Sequence, residues 1–378
     1  MSILSEIPGA GLFGYLIPFL IVLTIVVFFH ELGHFLVARW NGVRVEAFSV
    51  GFGPEIWGRT DSHGTRWKLS VIPLGGYVRF FGDANEASAP DPERMAEMSD
   101  ADRAVSFPHK RVGQRAAIVV AGPLANFLLA IVIFAVTFMT IGRAITDPVI
   151  SDIMPGSAAE AAGFQKGDIV RMLDGEAIES FTDIPRLVAP NPERSMTFVI
   201  ERGGETLSID VVPRREKRED RFGNEHEIGI VGIVNNSEDA NYRVVRAGPF
   251  EAVSLAVAET WFITRRTIAM IADVVTGRQS PDQLGGPIRI AKVSGDVATL
   301  GAAALINLTA LLSVSIGLLN LLPIPLLDGG HLVFYAAEAI RGRPLSERVQ
   351  EMGFRLGLAI VMGLMVLATW NDVTQLFF

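Results

Sequence analysis

The chain has 378 residues, of which 49% are hydrophobic and only 20% are charged, a balance that favours membrane spans joined to at least one soluble module over an ordinary soluble protein. The net charge of −8 disfavours nucleic acid as a partner, because neutralising phosphates needs a basic face. The absence of cysteine excludes disulfides and thiolate metal sites, so any zinc has to be bound by histidines and carboxylates.

Apolar segments long enough to cross a bilayer occur in four places. A transmembrane helix needs about 20 apolar residues. The fourth segment is the shortest, and Phe354 and Trp370 could flank it as interfacial anchors. We therefore expect about four transmembrane helices, at 11–29 (continuing helically to about residue 40), 116–141, 302–322 and 356–369.

Positively charged residues are distributed unevenly around these spans. Arg39 is the first Lys or Arg, so the first span lacks the basic region of a cleavable signal peptide. Arginines and lysines flank the spans within 41–115 and 323–355, whereas the C-terminal tail has none. By the positive-inside rule, these two segments face the cytoplasm, and both termini and the region 142–301 face outward.

Between the first two spans, residues 66–81 have the pattern of a β-hairpin. Apolar and polar side chains alternate from Trp67, a turn is predicted at 73–76, and an extended run follows. An ordinary surface hairpin is the alternative to a functional one.

Residues 144–213 are predicted to form a compact soluble α+β domain. Their order of strands, short helices and glycine turns resembles a PDZ domain of the kind found in bacterial envelope proteases. Such domains bind an extended peptide by adding it to a sheet edge. The alternative is a domain that only gates or props the membrane part. The predicted features are a strand at 149–154, a helix ending at 163, a strand at 169–173, a turn at 174–175, a helix at 182–189 and a hairpin turn at 203–204.

The segment that follows is charged and then amphipathic. Residues 214–227 carry both signs of charge and are predicted to be a solvated linker. A helix is predicted at 250–275, and because Arg265 and Arg266 interrupt it, we expect it to lie on the membrane or on the outer domain rather than to span. The predicted divisions are a membrane core with two spans and a cytoplasmic-side β-hairpin region at 1–143, the PDZ-like domain at 144–213, the linker and amphipathic helical region at 214–300, and a membrane core with two spans at 301–378.

The motif HELGH at the end of the first span indicates a metal site. On a helix, positions i and i+4 share a face, so His30 and His34 can reach one ion. Glu31 lies beside them and can take a proton from a metal-bound water. Ionisable side chains inside an apolar span cost about 2.5–3.5 kcal/mol each, so they tend to persist only where they work or pair. A helix end that becomes polar as it leaves the bilayer is the alternative.

A catalytic zinc ion needs a third protein ligand and an open position for water. His63, His109 and His226 occur in polar loop or domain contexts. Near 320–331, two prolines break an apolar helix and Asp328 follows, before two glycines. Irregular backbone at membrane depth is tolerated only against protein or a wet cavity. Asp328 is therefore the predicted third ligand, and His331 is interpreted as a helix-start or supporting residue; a simple helix-ending turn is the alternative.

These motifs resemble those of the site-2 protease family of intramembrane zinc metalloproteases. The closest resemblance is to the bacterial regulator of sigma-E protease group. It covers nearly the whole chain and extends to FSVGFGP at 48–54, GPLAN at 122–126 and LGGPIRIA at 284–291. One departure is that the best-known member has two PDZ modules, whereas this chain has room for one clear copy. A role that two tandem PDZ modules have in excluding substrates is therefore not assigned to this chain.

The resemblance implies a role for each motif residue. His30, His34 and Asp328 would bind one Zn²⁺ ion, and Glu31 would be the general base. Asn320 would contact the substrate or the developing oxyanion. A membrane-associated β-hairpin would pair with an unwound substrate strand through Gly75, Gly76, Tyr77 and Val78. The GxxxN pattern at 122–126 is interpreted as a close-packing and hydrogen-bonding feature of the second span.

The expected protein is thus a polytopic α-helical membrane protein with a membrane-associated β-hairpin and an inserted PDZ-like domain. The expected activity is that of a zinc metalloendopeptidase of the bacterial inner (plasma) membrane, with both termini and the PDZ-like domain on the periplasmic side. Its partners would be the lipid bilayer, a peptide at the PDZ-like domain and single-pass transmembrane substrates. By resemblance, these substrates are anti-sigma factors in regulated intramembrane proteolysis, or signal-peptide remnants. The alternatives are a protease that clips soluble or peripheral segments near the surface, and a non-proteolytic membrane sensor or metal-binding protein.

Overall fold

The computed structural model describes residues 10–83, 95, 97–219, 225–235, 242–278 and 285–377. The chain divides into two compact units. We call Met1–Thr137 together with Phe250–Phe378 the helical unit, and Phe138–Pro249 the inserted unit.

Within the described residues, the N-terminal part of the helical unit contains a pair of long strands and three helices. Its elements are α1 (Ala10–Trp40), β1 (Val45–Thr60), β2 (Arg66–Phe80), α2 (Asp100–Val105) and α3 (Val112–Thr140).

The inserted unit is built mainly of short strands. Its elements are β3 (Arg143–Thr146), β4 (Asp152–Ile153), α4 (Ala158–Ala162), β5 (Ile169–Leu173), β6 (Glu176–Ala177), α5 (Asp183–Val188), β7 (Met196–Arg202), β8 (Glu205–Val211), β9 (Arg214–Glu219), β10 (Glu225–Ile230), β11 (Ile233–Val234) and β12 (Tyr242–Val245).

The chain then returns to the helical unit, where the remaining elements are all helices. They are α6 (Pro249–Val275), α7 (Pro287–Ala298), α8 (Ala302–Asn320), α9 (Asp328–Arg341) and α10 (Glu347–Phe377).

Four helices within the described residues are long and apolar enough to cross a membrane: α1, α3, α8 and α10. This confirms the four predicted spans. Helix α10 has 31 residues, whereas the sequence predicted only 356–369, because charged residues near both of its ends interrupt the hydropathy signal. Helix α6 is not one of the four, in agreement with its interpretation as a helix that does not span; its placement on a membrane stays a prediction.

Small residues let the helices of this unit approach closely. A Cβ atom at Gly33 of α1 would lie 2.3 Å from the carbonyl oxygen of Ala121 in α3. A Cβ at Gly317 of α8 would lie 3.1 Å from the Cβ of Asn126 in α3. Helix α1 also packs against α7, α8 and β2, so it is the central element of the helical unit.

Strands β1 and β2 form a curled antiparallel sheet that differs from the predicted hairpin at 66–81. Phe48 pairs with both Val78 and Trp67, so the first half of β1 lies between the two halves of β2. The outer half of β1 pairs again with the first half of β2. The predicted turn at 73–76 does not form, because these residues lie within the continuous strand β2. The prediction was also wrong about the partner, because alternation along a sequence identifies a strand but not the strand that pairs with it.

The inserted unit contains a four-stranded antiparallel sheet in the order β6-β5-β7-β8. Its core is apolar, and Ile150, Val170 and Phe198 are completely buried there. The predicted turns are confirmed: residues 174–175 join β5 to β6, and 203–204 join β7 to β8, all four with positive φ. The helix predicted to end at 163 is confirmed as α4, capped by a left-handed Gly163. Its likeness to a PDZ domain stays a prediction.

The segment 214–227, which was predicted to be a solvated linker, forms paired strands in the structure. Residues Arg214–Glu219 pair with Glu225–Ile230 as the antiparallel strands β9 and β10. The high charge of this segment concealed the pairing, because opposite charges on facing strands stabilise a ladder that has little apolar content. Arg215, for example, donates hydrogen bonds to Glu227 and Glu193. Residues 220–224 lie outside the described part of the chain.

Candidate metal centre

The two imidazoles of the HELGH motif lie on one face of α1, as the i, i+4 spacing predicts. His30 and His34 are 8% and 9% exposed. Their Nε2 atoms are 3.2 Å apart, so both rings point to the same place.

Asp328 reaches this place from a different part of the chain. It is the first residue of α9, directly after the irregular segment 321–327 that contains both prolines. Leu326 has a φ of 88°, a left-handed conformation that is uncommon for a leucine. Such a backbone is retained where the surrounding structure requires it. Here the strained turn precedes the residue whose carboxylate faces the two imidazoles.

The three side chains form a compact donor set. Asp328 Oδ2 lies 3.2 Å from His30 Nε2, and Asp328 Oδ1 lies 3.6 Å from His34 Nε2. Zinc–ligand bonds of 2.0–2.2 Å in a tetrahedral site place neighbouring ligand atoms about 3.3–3.6 Å apart. Among the described residues, this is the group of three or more potential ligands close enough to bind one ion.

Hydrogen bonding favours a cation between these atoms. His34 Nδ1 lies 2.9 Å from the carbonyl oxygen of Ile118, which can only accept, so Nδ1 carries the proton and the Nε2 lone pair points at His30. Asp328 Oδ2 is buried without a hydrogen bond of good geometry. A lone pair and a carboxylate oxygen facing each other in a buried space are stabilised by a positive ion. The donor set therefore fits zinc, which accepts imidazole and carboxylate ligands.

Close packing of α3 against α1 fixes the ring of His34. A Cβ atom at Gly122 would lie 2.2 Å from His34 Nε2. Sequence reasoning interpreted GPLAN as a packing motif and did not connect its glycine with the metal site. Asn126 of the same motif is fully buried, and its Nδ2 lies 3.2 Å from His30 Nδ1.

Glu31 lies between the two imidazoles and the second half of β2. The backbone N–H of Val78 donates a hydrogen bond to its carboxylate. A Cβ at Gly76 would meet the Glu31 Cγ at 3.2 Å and the Ser49 carbonyl oxygen at 2.7 Å, so only glycine allows this approach. The strand that contains Gly76 and Val78 thus lies directly beside the carboxylate.

A cavity of about 230 Å³ connects these groups. Its lining includes most of the predicted site residues, namely His30, Glu31, His34, Gly76, Val78 and Asp328. Tyr77 and Asn320 also line the cavity, whereas Gly75 does not. Its further lining residues are Phe80, Phe107, Val119, Leu326, Leu327, His331 and Tyr335.

The remaining histidines were not predicted to be metal ligands, and those whose side chains are described are not part of the donor set. His63 and His109 contact serine hydroxyls in loops, and neither lines the cavity. The side chain of His226 is outside the described residues. His331 lines the cavity and packs against Phe354, with 5.5 Å between ring centroids and the two rings tilted by 53°. It is not part of the donor set.

A second polar cluster holds α9 in place. Arg115 of α3 forms an ion pair with Glu338 of α9 at 2.5 Å, and its guanidinium lies 4.8 Å from the Tyr335 ring centroid. Burial raises the pKa of Tyr335 to about 12. These contacts fix the helix that begins with Asp328.

Comparisons with known proteins agree with this chemistry. The family profile described as peptidase family M50 matches residues 18–364. A protein of Agrobacterium fabrum named as a candidate zinc metalloprotease is 52% identical over 363 residues, which cover 96% of each chain. One of Rhizobium meliloti with the same kind of name is 51% identical, over 96% of this chain and 97% of its own. The metalloprotease MmpA of Caulobacter vibrioides is 40% identical over 95% of each chain.

Proposed function

The chain belongs to peptidase family M50, and we propose that it is a zinc metalloprotease that cleaves transmembrane segments of single-pass membrane proteins. One observation carries the proposal. Two buried imidazoles from a membrane-type helix and a carboxylate from a separate helix converge within 3.2–3.6 Å in a cavity that also contains a glutamate. The names of the related proteins support the metal and the reaction class.

The proposed zinc ligands are His30, His34 and Asp328, which together bind one ion. A zinc ion at this site would supply Lewis acidity, which makes water a nucleophile near neutral pH and polarises a peptide carbonyl. With three protein ligands, one position of a tetrahedral site stays open.

Glu31 is the proposed general base. Its carboxylate is beside the donor set and inside the cavity, so it can accept a proton from the attacking water and deliver it to the leaving amine. Such a step contributes about 10²–10⁴-fold to the rate. The hydrogen bond that the Val78 N–H donates to the Glu31 carboxylate holds this carboxylate in place.

Asn320 and the adjacent strand are the proposed substrate contacts. The Asn320 carboxamide lines the cavity and can donate to the oxygen on which negative charge develops. A transmembrane substrate hides its amides in helical hydrogen bonds and must unwind before cleavage. Pairing with the strand at Gly76, Tyr77 and Val78 would replace those lost bonds, as in other cases of strand addition.

The remaining features are proposed from the sequence and the family resemblance. We place the protein in the bacterial inner membrane, with both termini and the inserted unit on the periplasmic side, by the positive-inside rule. The inserted unit would act as a PDZ-like module that binds peptide or limits access. The substrates would be anti-sigma factors already trimmed outside the membrane, in regulated intramembrane proteolysis, or signal-peptide remnants.

The test uses purified protein in liposomes and two single-span reporters, one with helix-breaking residues in its span and one with a stable helix. We expect faster cleavage of the first, inside its span, because its amides are easier to expose. The Glu31→Gln variant should retain zinc and cleave neither reporter. Cleavage only outside the span would indicate a protease of surface segments. The absence of any cleavage by zinc-loaded wild-type protein would contradict the proposal and favour a non-proteolytic sensor.

A further inference from the structure

The side chain of Asn126 has an unusual place beside the proposed zinc site. It is completely buried, its Nδ2 lies 3.2 Å from His30 Nδ1, and its Oδ1 is buried with no hydrogen-bond partner among the described residues. An unpaired buried acceptor costs about 1–3 kcal/mol, so it calls for an explanation.

The two histidines of the site are supported differently. A neutral imidazole that uses Nε2 as a metal ligand must carry its proton on Nδ1 and donate it to an acceptor. For His34 that acceptor is the Ile118 carbonyl oxygen, which fixes the protonated nitrogen permanently. For His30, the group at Nδ1 is the carboxamide of Asn126, which can present either a donor or an acceptor.

The present orientation of Asn126 does not suit metal binding by His30. With Nδ2 donating to Nδ1, the proton of a neutral His30 is on Nε2, which then has no lone pair for an ion. The two ends of a carboxamide have nearly the same shape, so a half-turn about the Cβ–Cγ bond exchanges Nδ2 and Oδ1. The oxygen that is now unpaired would then accept the Nδ1 proton of His30.

We propose that Asn126 is a positioning residue that selects the metal-binding tautomer of His30 by turning its carboxamide so that Oδ1 accepts from His30 Nδ1. Asn126 Nδ2 faces the ring in its present orientation, and Oδ1 would face it when His30 binds zinc through Nε2. The inference rests on the proposed zinc site but does not require that the protein is a protease.

Helix α8 holds the backbone of Asn126 while its amide turns. The Ser313 hydroxyl donates to the Asn126 carbonyl oxygen at 2.8 Å. A Cβ atom at Gly317 would lie 3.1 Å from the Asn126 Cβ, so glycine at this position lets α8 pack closely against Asn126. The carboxamide is therefore the part of Asn126 that can change without moving α3, and α3 and α8 together present it to α1.

The test measures the zinc affinity of the full-length protein in detergent by competition with a chelator. The Asn126→Leu variant keeps a similar volume but removes the acceptor, and Asn126→Asp keeps an oxygen that can only accept. Outer hydrogen-bond partners of metal ligands typically contribute 10–100-fold to affinity. We expect Asn126→Leu to lower zinc affinity by about 10–100-fold and Asn126→Asp to stay within a few-fold of the wild type. Thr309→Val is the matched control, because Thr309 is buried in α8 but bonds to its own helix at Leu305, and it should have no effect.

A second readout separates positioning from simple packing. Thermal unfolding is measured with and without zinc, and the zinc-dependent rise in melting temperature should shrink in Asn126→Leu and be preserved in Asn126→Asp. An unchanged zinc affinity in Asn126→Leu would overturn the inference, and so would an equal loss in both variants. A lower metal-free melting temperature in Asn126→Leu with a normal zinc-dependent rise would assign Asn126 to packing instead. If the wild type binds no zinc at all, the proposed function fails first.

Discussion

The helical unit and the inserted unit each bury an apolar core, but only the helical unit also buries the polar groups of the candidate metal centre. In the inserted unit, Val170 and Phe198 are fully buried in an apolar core. In the helical unit, only 11% of the most apolar window of α1 and 6% of that of α10 is buried, so most of their apolar surface faces outward. Besides an apolar cluster that includes Phe48, the interior of this unit contains polar side chains, including His30 and Asn126. Apolar helix faces that can be directed to lipid leave some interior positions of the helical unit for the polar groups of a reactive site.

This difference predicts that the two units are sensitive to different substitutions. In the inserted unit, changes should appear as losses of folding stability. In the helical unit, changes beside the cavity should appear first as losses of metal binding or cleavage, because small shifts move the ligands, whereas changes far from the cavity should affect stability. Each prediction below tests one side of that comparison.

The largest effect is expected for Gly122→Ala in α3. The added methyl group would lie 2.2 Å from His34 Nε2, and the ring cannot move away while it donates to Ile118. A displacement of about 1 Å at a reacting centre costs about 100-fold in rate, so we expect at least about that loss of cleavage, together with weaker zinc binding. Cleavage rate and zinc content of the purified variant are the measurements.

The control for this change is Gly113→Ala in the same helix, where an added Cβ meets nothing within 4 Å. It should behave as the wild type. Equal activity of Gly122→Ala and Gly113→Ala would show that the contact between α3 and His34 accommodates an added methyl group. That result would contradict the prediction.

In the inserted unit, the corresponding prediction is a loss of stability in Asp168→Asn. The Asp168 side chain is 1% exposed and accepts two hydrogen bonds from Arg202 at 2.7 Å. Hydrogen bonds to charged groups contribute about 1.5–3 kcal/mol, and we expect the unit to lose about that much. Unfolding followed by denaturant measures the loss, and zinc content should not change. Glu201→Gln, which removes an exposed pair with Arg171, should cost less than about 1 kcal/mol.

The same pair predicts how stability depends on pH. Burial raises the pKa of Asp168, but the Arg202 guanidinium and the Gln165 N–H lower it by more, so the pKa in the folded protein is below 3.8. A depressed pKa contributes stability that is present above the unfolded value and is lost as the pH falls through the folded value. The difference in unfolding free energy between wild type and Asp168→Asn should therefore be constant at neutral pH and shrink below about pH 4. A difference that persists undiminished at pH 2–3 would contradict the ion pair as its source.

A smaller effect is expected for Gly76→Ala, beside the glutamate. Its methyl group would press on the Glu31 Cγ and on Val27 of α1, which should displace the strand without touching the three ligands. We expect cleavage to fall by about 10-fold, on the scale of a sub-ångström misplacement, at unchanged zinc content. Gly363→Ala, where a Cβ meets nothing within 4 Å, is the control. Loss of zinc in Gly76→Ala would show that the strand supports the ligands rather than the substrate.

The smallest effect is expected for Asp372→Ala in α10. Its carboxylate accepts from the backbone N–H groups of Gly286, Ile288 and Arg289, at 2.8, 3.0 and 3.0 Å, and so caps the start of α7. Loss of a cap of this kind costs about 0.5–2 kcal/mol. The melting temperature of the protein in detergent should fall accordingly, whereas Thr374→Ala, which bonds only within α10, should have little effect. An equal fall in both variants would remove the cap as the cause.

Local patterns made much of this architecture predictable. The helical spacing of His30 and His34, the four apolar runs and the glycine turns of the inserted unit depend on residues near each other in sequence. The convergence of Asp328 with the histidines was expected from the zinc coordination rule and a broken helix rather than from any periodicity.

The rest depends on contacts between distant parts of the chain. Nothing near residue 66 in the sequence identifies β1 as the partner of both halves of β2. The packing of Gly122 against His34 and of Asn126 against His30 is set by how α3 meets α1, which a single sequence does not state. The charged strands β9 and β10 lack the apolar alternation by which strands are recognised.

The most direct test of the account is the zinc content of two purified variants, Asp328→Ala and His331→Ala. Both residues line the same cavity, three positions apart, but only the carboxylate of Asp328 completes the donor set with His30 and His34. The account predicts one zinc ion per chain in the wild type and in His331→Ala, and none after chelator challenge in Asp328→Ala. Full zinc retention by Asp328→Ala, with loss in His331→Ala, would contradict it.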